Sequence, residues 1–213
     1  MAMRLVILPM LLLSLQAYSQ VAERPEYKVG DRWRVERFDL MKREATSSRE
    51  WRIAEMSPAS MTQEFKNPVS GAVVTSISDL DGNTLELAGR KFEPSYMWYA
   101  FPLSVGKKWN NTVTYPNLDG EGTVTEERAC EVLALEDVAT KAGTFKAYKI
   151  KCDGTFTIAH NRIKRGLAGH SSSTDWFSPE VRRSVKLEFS RTQPRGGWGQ
   201  RYVDEVVSFE LQK

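Results

Sequence analysis

The sequence predicts an all-β protein, an antiparallel and strongly curved sheet of about ten strands that forms a half-barrel, a barrel or a sandwich. From residue 20 onward, apolar and polar residues alternate with a period of two, and helical periodicity is nearly absent. Turn signals such as "DGN" at 81–83 separate these short stretches. Because a chain of 213 residues that is 41% hydrophobic can bury one core, we expect a single antiparallel β domain over residues 20–213.

The alternating stretches define the expected strands in chain order. They cover residues 33–40, 49–56, 61–67, 71–80, 84–92, 109–115, 123–138, a strand returning from the turn at 141–143, and residues 175–179, 183–193 and 201–213. The segments between them read as connections. Residues 93–106 are rich in proline and aromatics, residues 160–174 are polar and basic and predict a mobile loop, and residues 193–200 form a glycine-rich turn.

The first residues predict a secretory signal peptide, residues 1–19. Arg4 precedes "LVILPMLLLSL", an apolar run shorter than the roughly 20 residues of a membrane-spanning helix. A buried core helix is the alternative, but Pro9 interrupts it. We expect cleavage after Ser19 and an exported, periplasmic or secreted chain that is soluble. Because no cysteine lies near the cleavage site, we expect no lipid anchor. Because no long apolar run follows it, we expect no transmembrane segment in the mature chain.

Charge argues against nucleic acid as a partner. With 30 Lys+Arg against 27 Asp+Glu, the net charge of +3 lacks the concentrated positive excess of nucleic-acid-binding proteins. Two short basic groups remain, and a basic surface formed by them would suit a phosphate, a lipid headgroup or an acidic partner. The alternative is that these side chains are simply solvated. The residues of this expected basic surface are Arg162, Lys164, Arg165, Arg182 and Arg183.

The two cysteines, Cys130 and Cys152, flank a hairpin whose turn contains Gly143. An even cysteine count in an exported chain favours a disulfide. Folding the chain at the turn pairs Cys130 with Cys152, Val132 with Ile150, Ala134 with Tyr148 and Glu136 with Lys146. A slip of two residues, which places the cysteines diagonally, and two buried free thiols stay open as alternatives.

The motif VGxxW occurs twice, with glycines at Gly30 and Gly106. A glycine permits a tight bend, and the tryptophan that follows, Trp33 or Trp109, would open a strand and close the end of the core. Two local copies are a weak sign of a duplicated domain, because nothing in the first half matches the cysteine hairpin. We therefore interpret the motif as a bend before a strand.

Three segments together resemble a family of exported bacterial proteins of unknown function, the DUF3108-like proteins. They are "FPLSVGKKW" at 101–109, "AGTFKAYKI" at 142–150 and "WFSPEVRRSVK" at 176–186. The resemblance covers the chain from Phe101 to the C-terminus and implies a curved antiparallel β fold in the bacterial envelope. It implies no catalytic residue. Arg182 stands where the family's pattern has glycine, so that turn is expected to differ.

Motifs for catalysis and metal binding are weak. His160 and His170 lie ten apart without a cysteine pair, which makes a shared metal site improbable, and we expect no metal and no cofactor. "GHSSSTD" at 169–175 places His170, three serines and Asp175 together, but members of a catalytic triad usually come from distant segments. A hydrolase that uses His170 and a nearby acid is kept as a third alternative for the function.

An aromatic group is the best candidate ligand surface: Tyr96, Met97, Trp98, Tyr99 and Phe101. Apolar pockets with few polar groups suit hydrophobic ligands. The alternative is that these side chains cap the core. We expect a non-catalytic envelope protein that holds an apolar, lipid-like small molecule in a curved sheet. The second hypothesis is an interaction module that docks to an envelope protein partner.

Overall fold

The chain forms a closed barrel of antiparallel strands in which each strand pairs with its neighbours in sequence and the last pairs with the first. The computed structural model describes residues 20–67, 70–118, 120–160, 166–193 and 199–213. This confirms the predicted all-β class and selects a barrel among the three expected forms. The signal peptide expected at 1–19 lies outside the described residues, as does most of the expected turn at 193–200.

The described residues contain twelve strands. Their bounds are β1 Arg32–Asp39, β2 Glu44–Met56, β3 Ser60–Lys66, β4 Val73–Asp79, β5 Thr84–Leu87, β6 Arg90–Tyr96, β7 Lys108–Pro116, β8 Thr123–Thr140, β9 Gly143–Ala159, β10 Leu167–Ser178, β11 Arg183–Thr192 and β12 Gly199–Glu210. Closure removes the unpaired edges that an open sheet would expose. None of the described residues forms a helix long and apolar enough to cross a membrane.

Two expected elements differ from the structure. The single strand expected at 84–92 is two strands, because Ala88 and Gly89 both adopt positive φ angles, 51° and 77°, and reverse the chain between β5 and β6. The mobile loop expected at 160–174 is wrong for its second part, where β10 begins at Leu167. Alternating small and polar side chains form that strand, a pattern that resembles a loop in sequence when the buried face is polar.

The cysteine hairpin is β8 and β9, and its register agrees with the sequence only near the cysteines. Cys130 pairs with Cys152 and forms the disulfide, and Val132 pairs with Ile150. An extra residue at Leu133 then shifts the pairing by one, so that the expected Ala134–Tyr148 and Glu136–Lys146 pairs are wrong.

After the shift, Glu136 accepts a hydrogen bond from the Trp176 indole at 2.7 Å and pairs with Lys149 at 3.4 Å. Further along, the tip of the hairpin reaches across to strands β12 and β1. The Lys141 backbone N–H donates to Glu205 at 2.6 Å, and its ammonium group lies 2.6 Å from Glu36. The bulge therefore redirects the hairpin from the barrel wall toward the strands that close the barrel.

The two VGxxW motifs form matching bends before β1 and β7. Gly30 and Gly106 have φ angles of 95° and 89°, a region that glycine enters without strain. Each glycine N–H donates to a carbonyl on the strand that pairs with the one it precedes, Ile53 of β2 at 2.9 Å and Val132 of β8 at 2.8 Å. Each tryptophan is the second residue of its strand, and Trp33 is only 1% exposed. The interpretation as a bend before a core-packing tryptophan is confirmed.

The seam between β6 and β7 has a single backbone pair, Glu93 with Thr114. A buried amide, Asn111, extends this seam with its side chain. It accepts from the Met97 N–H at 3.0 Å and donates to the Ser95 carbonyl at 3.2 Å. A side chain thus replaces missing backbone bonds where the chain leaves the sheet, so buried backbone groups keep their partners.

Candidate functional site

A cavity of about 270 Å³ lies within one side of the barrel. Its walls come from β1 to β5 and from β10 to β12, with the segment after β6 closing one side. Residues from distant parts of the sequence therefore meet there. This position is typical of small barrels that hold one small ligand.

Aromatic side chains form much of the cavity wall. Trp33, Trp51, Trp98, Tyr99 and Tyr202 all line it. The indole N–H of Trp33 is occupied, since it donates to the Val181 carbonyl at 2.8 Å. The aromatic wall offers an apolar contact surface whose polar atoms are largely satisfied within the protein.

One charged pair in the cavity wall is already complete. Arg37 donates two hydrogen bonds of 2.6 Å to Asp204, and its guanidinium lies 3.5 Å from the centre of the Tyr202 ring. A bidentate, stacked arginine of this kind is fixed in place. Arg37 and Asp204 therefore neutralise each other and leave little free charge.

Arg183 lines the same cavity without such a partner. Its Nη1 is buried and has no hydrogen-bond partner among the described residues. The guanidinium lies 5.0 Å from the ring centre of Trp33 and 5.7 Å from that of Trp51. Burial lowers the pKa of Arg183, because the charged form loses solvation. A partly buried cation beside two indoles is thus available to an incoming group.

Asp175 is the second group with an open position. Its Oδ2 accepts from the Tyr99 hydroxyl at 3.0 Å, whereas its buried Oδ1 has no partner in the described chain. The hydroxyl of Ser184, which also lines the cavity, donates to the Lys186 carbonyl at 3.0 Å. Burial raises the pKa of Asp175 to about 6, and the nearby hydroxyls of Ser184 and Tyr99 limit that rise.

A buried asparagine fixes the aromatic segment against the cavity. Asn83, only 3% exposed, accepts with its Oδ1 from the N–H groups of both Trp98 and Tyr99 at 2.9 Å. Its amide in turn donates to Asp79 at 3.2 Å. The predicted turn at 81–83 therefore positions the aromatic wall as well as reversing the chain.

Next to the cavity, another part of the barrel interior is filled by a polar cluster around Glu126. This carboxylate accepts hydrogen bonds from the Tyr96 hydroxyl at 3.1 Å, the Tyr115 hydroxyl at 3.0 Å and the Ser171 hydroxyl at 2.7 Å. Arg191 lies 3.9 Å from it and donates to Tyr115 at 3.1 Å. Burial raises the pKa of Tyr115 to about 12, and the Glu126 charge acts in the same direction. We call these five residues the filled region.

Arg128 separates the filled region from the cavity. It donates to the Met97 carbonyl and to the Ser173 hydroxyl, both at 3.3 Å. Its guanidinium lies 4.3 Å from the ring centre of Tyr96 and 5.1 Å from that of Trp98. A stacked arginine therefore forms the boundary between two differently organised parts of the lumen.

The structure divides the predicted aromatic group. Trp98 and Tyr99 line the cavity, whereas Tyr96 belongs to the filled region. Phe101 packs against Phe177, with ring centres 5.2 Å apart, and Met97 contributes its backbone groups to the seam.

The predicted basic surface is divided as well. Arg162, Lys164 and Arg165 lie outside the described residues. Arg182 binds the buried Asp31 at 3.0 Å, and Arg183 faces the cavity. The turn at Arg182, which was expected to differ from the DUF3108-like pattern, has a positive φ of 60° at that residue. In this conformation the side chain reaches Asp31.

The histidines and serines of "GHSSSTD" lie on a strand. His170 is exposed, whereas Ser171, Ser173 and Asp175 are buried. Alternation along β10 therefore places the histidine on the opposite face from these groups. No group of three metal-ligating side chains comes together within the described residues.

Sequence reasoning missed most of the cavity. Trp33 was expected as a core residue, Arg183 as a surface residue and Asp175 as part of a loop or strand end. One usable signal was the period-two series Ser171, Ser173 and Asp175, which is what a strand with a polar inner face looks like. Only Asp175 of this series lines the cavity, and barrel closure brings it there.

Comparisons with protein-family models and with curated proteins gave no match. The chain is similar to three solved structures. A candidate exported protein with a YmcC-like fold from Bacteroides fragilis is 14% identical, with a TM-score of 0.53 over 89% of this chain and 99% of that one. A candidate lipoprotein from Parabacteroides distasonis is 14% identical, with a TM-score of 0.51 over 90% of this chain and 100% of that one.

The third structure is the hypothetical lipoprotein YmcC from Escherichia coli, 7% identical with a TM-score of 0.47, over 86% of this chain and 84% of that one. The two similarities with higher scores show a shared fold. The molecule is thus a β-barrel with the same fold as these two proteins, and its lumen holds a cavity lined by aromatic residues and arginine. The resemblance to DUF3108-like proteins stays a prediction.

Proposed function

We propose that the chain is a non-catalytic, exported envelope protein that holds a small, lipid-like apolar ligand inside its barrel. The observation that carries this proposal is the cavity of about 270 Å³ with Trp33, Trp51 and Trp98 in its wall. Burying apolar surface against such a wall contributes roughly 25 cal/mol per Å². The volume lies near the lower end of the roughly 300–1,000 Å³ of ligand pockets, which favours a small ligand.

Export is supported by the cysteines and by the predicted signal peptide. Cys130 and Cys152 are bridged, and structural disulfides persist in oxidising compartments such as the periplasm.

The test is a titration of the purified protein with 1-decanol, followed by intrinsic tryptophan fluorescence. Ser76 is 6% exposed and lines the cavity, so Ser76→Phe would fill it. The matched control is Thr75→Phe on the same strand, at an exposed position. We expect binding in the wild type and the control, and at least about tenfold weaker binding in Ser76→Phe, or about 1.4 kcal/mol.

Equal affinity in the two variants would place decanol outside the cavity and contradict the proposal, and so would a wild type that does not bind. Stoichiometric co-purification of an envelope protein, together with absence of decanol binding, would favour the interaction module. Hydrolysis in a broad substrate screen that His170→Ala abolishes would favour the hydrolase.

A further inference from the structure

We propose that the cavity selects amphipathic ligands with an anionic end group, a carboxylate or a phosphate ester, which Arg183 binds while the apolar part lies against the tryptophans. This inference rests on the proposed function and adds the charge of the ligand's polar end. It starts from an unusual feature, a buried arginine atom without a partner.

Buried arginine nitrogens are normally hydrogen-bonded, because an unmet buried donor loses its bonds to water without replacement. Nη1 of Arg183 is buried and unpartnered within the described chain, although the residue lines a cavity. The part of the Arg183 guanidinium that lines the cavity can therefore bind a ligand oxygen, although Nη1 itself has no surface open to the cavity. Guanidinium groups suit carboxylate and phosphate oxygens in particular.

The other charges around the cavity favour an anion. Arg37 and Asp204 are occupied with each other. Arg49 also lines the cavity, and its guanidinium hydrogen bonds go to the hydroxyl of Ser47. Two arginines that are not neutralised by a direct carboxylate contact therefore face the same space, which raises the local positive potential.

Asp175 is the single carboxylate of the cavity wall outside the Arg37 pair, considering the described residues. In the described structure no carboxylate oxygen of Asp175 lies within 4.0 Å of an Arg183 nitrogen. Its Oδ2 accepts the hydrogen bond from Tyr99. Burial already raises the pKa of Asp175 to about 6, so this group takes up a proton readily when a second negative charge enters. Asp175 therefore offers limited opposition to a bound anion.

The apolar part of the ligand has a defined place. The ring centres of Trp33 and Trp51 lie 5.0 and 5.7 Å from the Arg183 guanidinium, and Trp98 lines the same cavity. A ligand whose end group meets the Arg183 guanidinium would place its chain beside these indoles. The site thus joins one charged contact to an apolar surface, the arrangement that gives orientation as well as affinity.

The experiment compares four probes that share one alkyl chain: decanol, decanoate, decyl phosphate and decylammonium. Each is titrated into the wild type, Arg183→Met, Arg183→Lys and the control Arg52→Met, with tryptophan fluorescence as the readout. Arg52 is a suitable control because it lies exposed on β2 and pairs with Glu64. Circular dichroism confirms that each variant is folded.

We expect the wild type to bind at least one of the two anions about tenfold or more tightly than decanol, with decylammonium the weakest. Arg183→Met should lose the preference for the anion but keep its affinity for decanol, and Arg183→Lys should retain part of the preference. Arg52→Met should behave like the wild type. The better of the two anions identifies the end group as a carboxylate or a phosphate.

Binding of decanol with no preference for an anion would overturn this inference and leave the proposed function intact. The inference is also overturned if Arg183→Met keeps the preference, or if decylammonium binds most tightly, which would assign the polar contact to Asp175. Failure of all four probes to bind the wild type would remove both proposals.

Discussion

The filled region and the cavity are neighbouring parts of one barrel interior, and they differ in whether their buried charged groups have partners. In the filled region, Glu126 receives three hydroxyl hydrogen bonds and lies 3.9 Å from Arg191. In the cavity, Arg183 and Asp175 each keep a buried polar atom without a partner. The first arrangement is typical of a structural polar network, and the second is typical of a site that binds a ligand.

Arg191, although it belongs to the filled region, also has buried nitrogen atoms without a hydrogen-bond partner. Its Nη1 donates to Tyr115 and its guanidinium lies 3.9 Å from the centre of the Phe156 ring, but Nε and Nη2 have no hydrogen bond among the described residues. The Glu126 carboxylate nevertheless balances its charge at close range. Charge balance, more than a complete set of hydrogen bonds, therefore distinguishes the two regions.

Glu126→Ala should have the largest effect, since it removes the centre of the filled region. It leaves three hydroxyls and the Arg191 guanidinium buried without their common acceptor, and we expect a loss of about 3–5 kcal/mol in the free energy of unfolding. Urea denaturation measures it. The control is Glu127→Ala, an exposed neighbour on β8, for which we expect a change within about 0.5 kcal/mol. Similar losses in both variants would contradict the assignment of Glu126 to a stabilising network.

Removing the disulfide should have the next largest effect. Cys130 and Cys152 are separated by 22 residues and pack beside Val132 and Ile150 in the barrel wall. The chain-entropy estimate for a loop of this length is about 3 kcal/mol. We expect the double variant Cys130→Ala, Cys152→Ala to melt at a lower temperature than the oxidised wild type. An unchanged melting temperature would show that the hairpin register is held without the bridge.

Asp175→Asn should stabilise the protein in a pH-dependent way. The folded-state pKa of Asp175 is raised from 3.8 to about 6, so the folded protein holds this proton more tightly than the unfolded chain. The resulting cost is absent below about pH 4, develops as the pH rises from there to about 6, and is complete above it. The variant should therefore be more stable than the wild type by on the order of 1–3 kcal/mol at pH 7.5, and the difference should disappear near pH 4.

Thermal unfolding across this pH range tests the expectation, with the exposed Asp137→Asn as the control. A difference that does not change with pH would mean that Asp175 titrates in the folded protein as it does in the unfolded chain. A destabilised variant at pH 7.5 would mean that the Tyr99 hydrogen bond requires a carboxylate.

Arg183→Met should have the smallest effect on the free energy of unfolding, a gain of about 1 kcal/mol in the absence of ligand. Methionine removes a buried charge without a partner, while the lost contacts with Trp33 and Trp51 offset part of the gain. Urea denaturation of the ligand-free protein measures the change. Loss of several kcal/mol would instead assign Arg183 to a structural network like that of Glu126, and would remove the contrast between the regions.

Local features of the fold could be predicted from the sequence. Period-two alternation gave the strand class, and Gly30 and Gly106 marked bends because both need positive φ. Cys130, Val132, Ile150 and Cys152 pair as expected, since all four side chains share the buried face of β8 and β9. These features depend on neighbours in the chain, so the sequence alone determines them.

The strand register beyond the bulges could not be predicted from the sequence. One extra residue at Leu133 shifts the end of the cysteine hairpin, and another at Val185 shifts the pairing of β10 with β11 just after Arg183. An extra residue moves side chains between the two faces of a sheet. The choice between Arg182 and Arg183 for the interior is therefore made by the assembled sheet.

The sequence by itself thus determined an all-β chain and the bends that precede two strands, and it favoured the cysteine pairing without excluding the alternatives. Only the tertiary structure decided that the sheet closes, that Ser171, Ser173 and Asp175 face inward, and that Arg183 lies beside Trp33. The physical reason is the range of the interactions. Turns and alternation act between residues close in sequence, whereas a lumen exists only when the first strand pairs with the last.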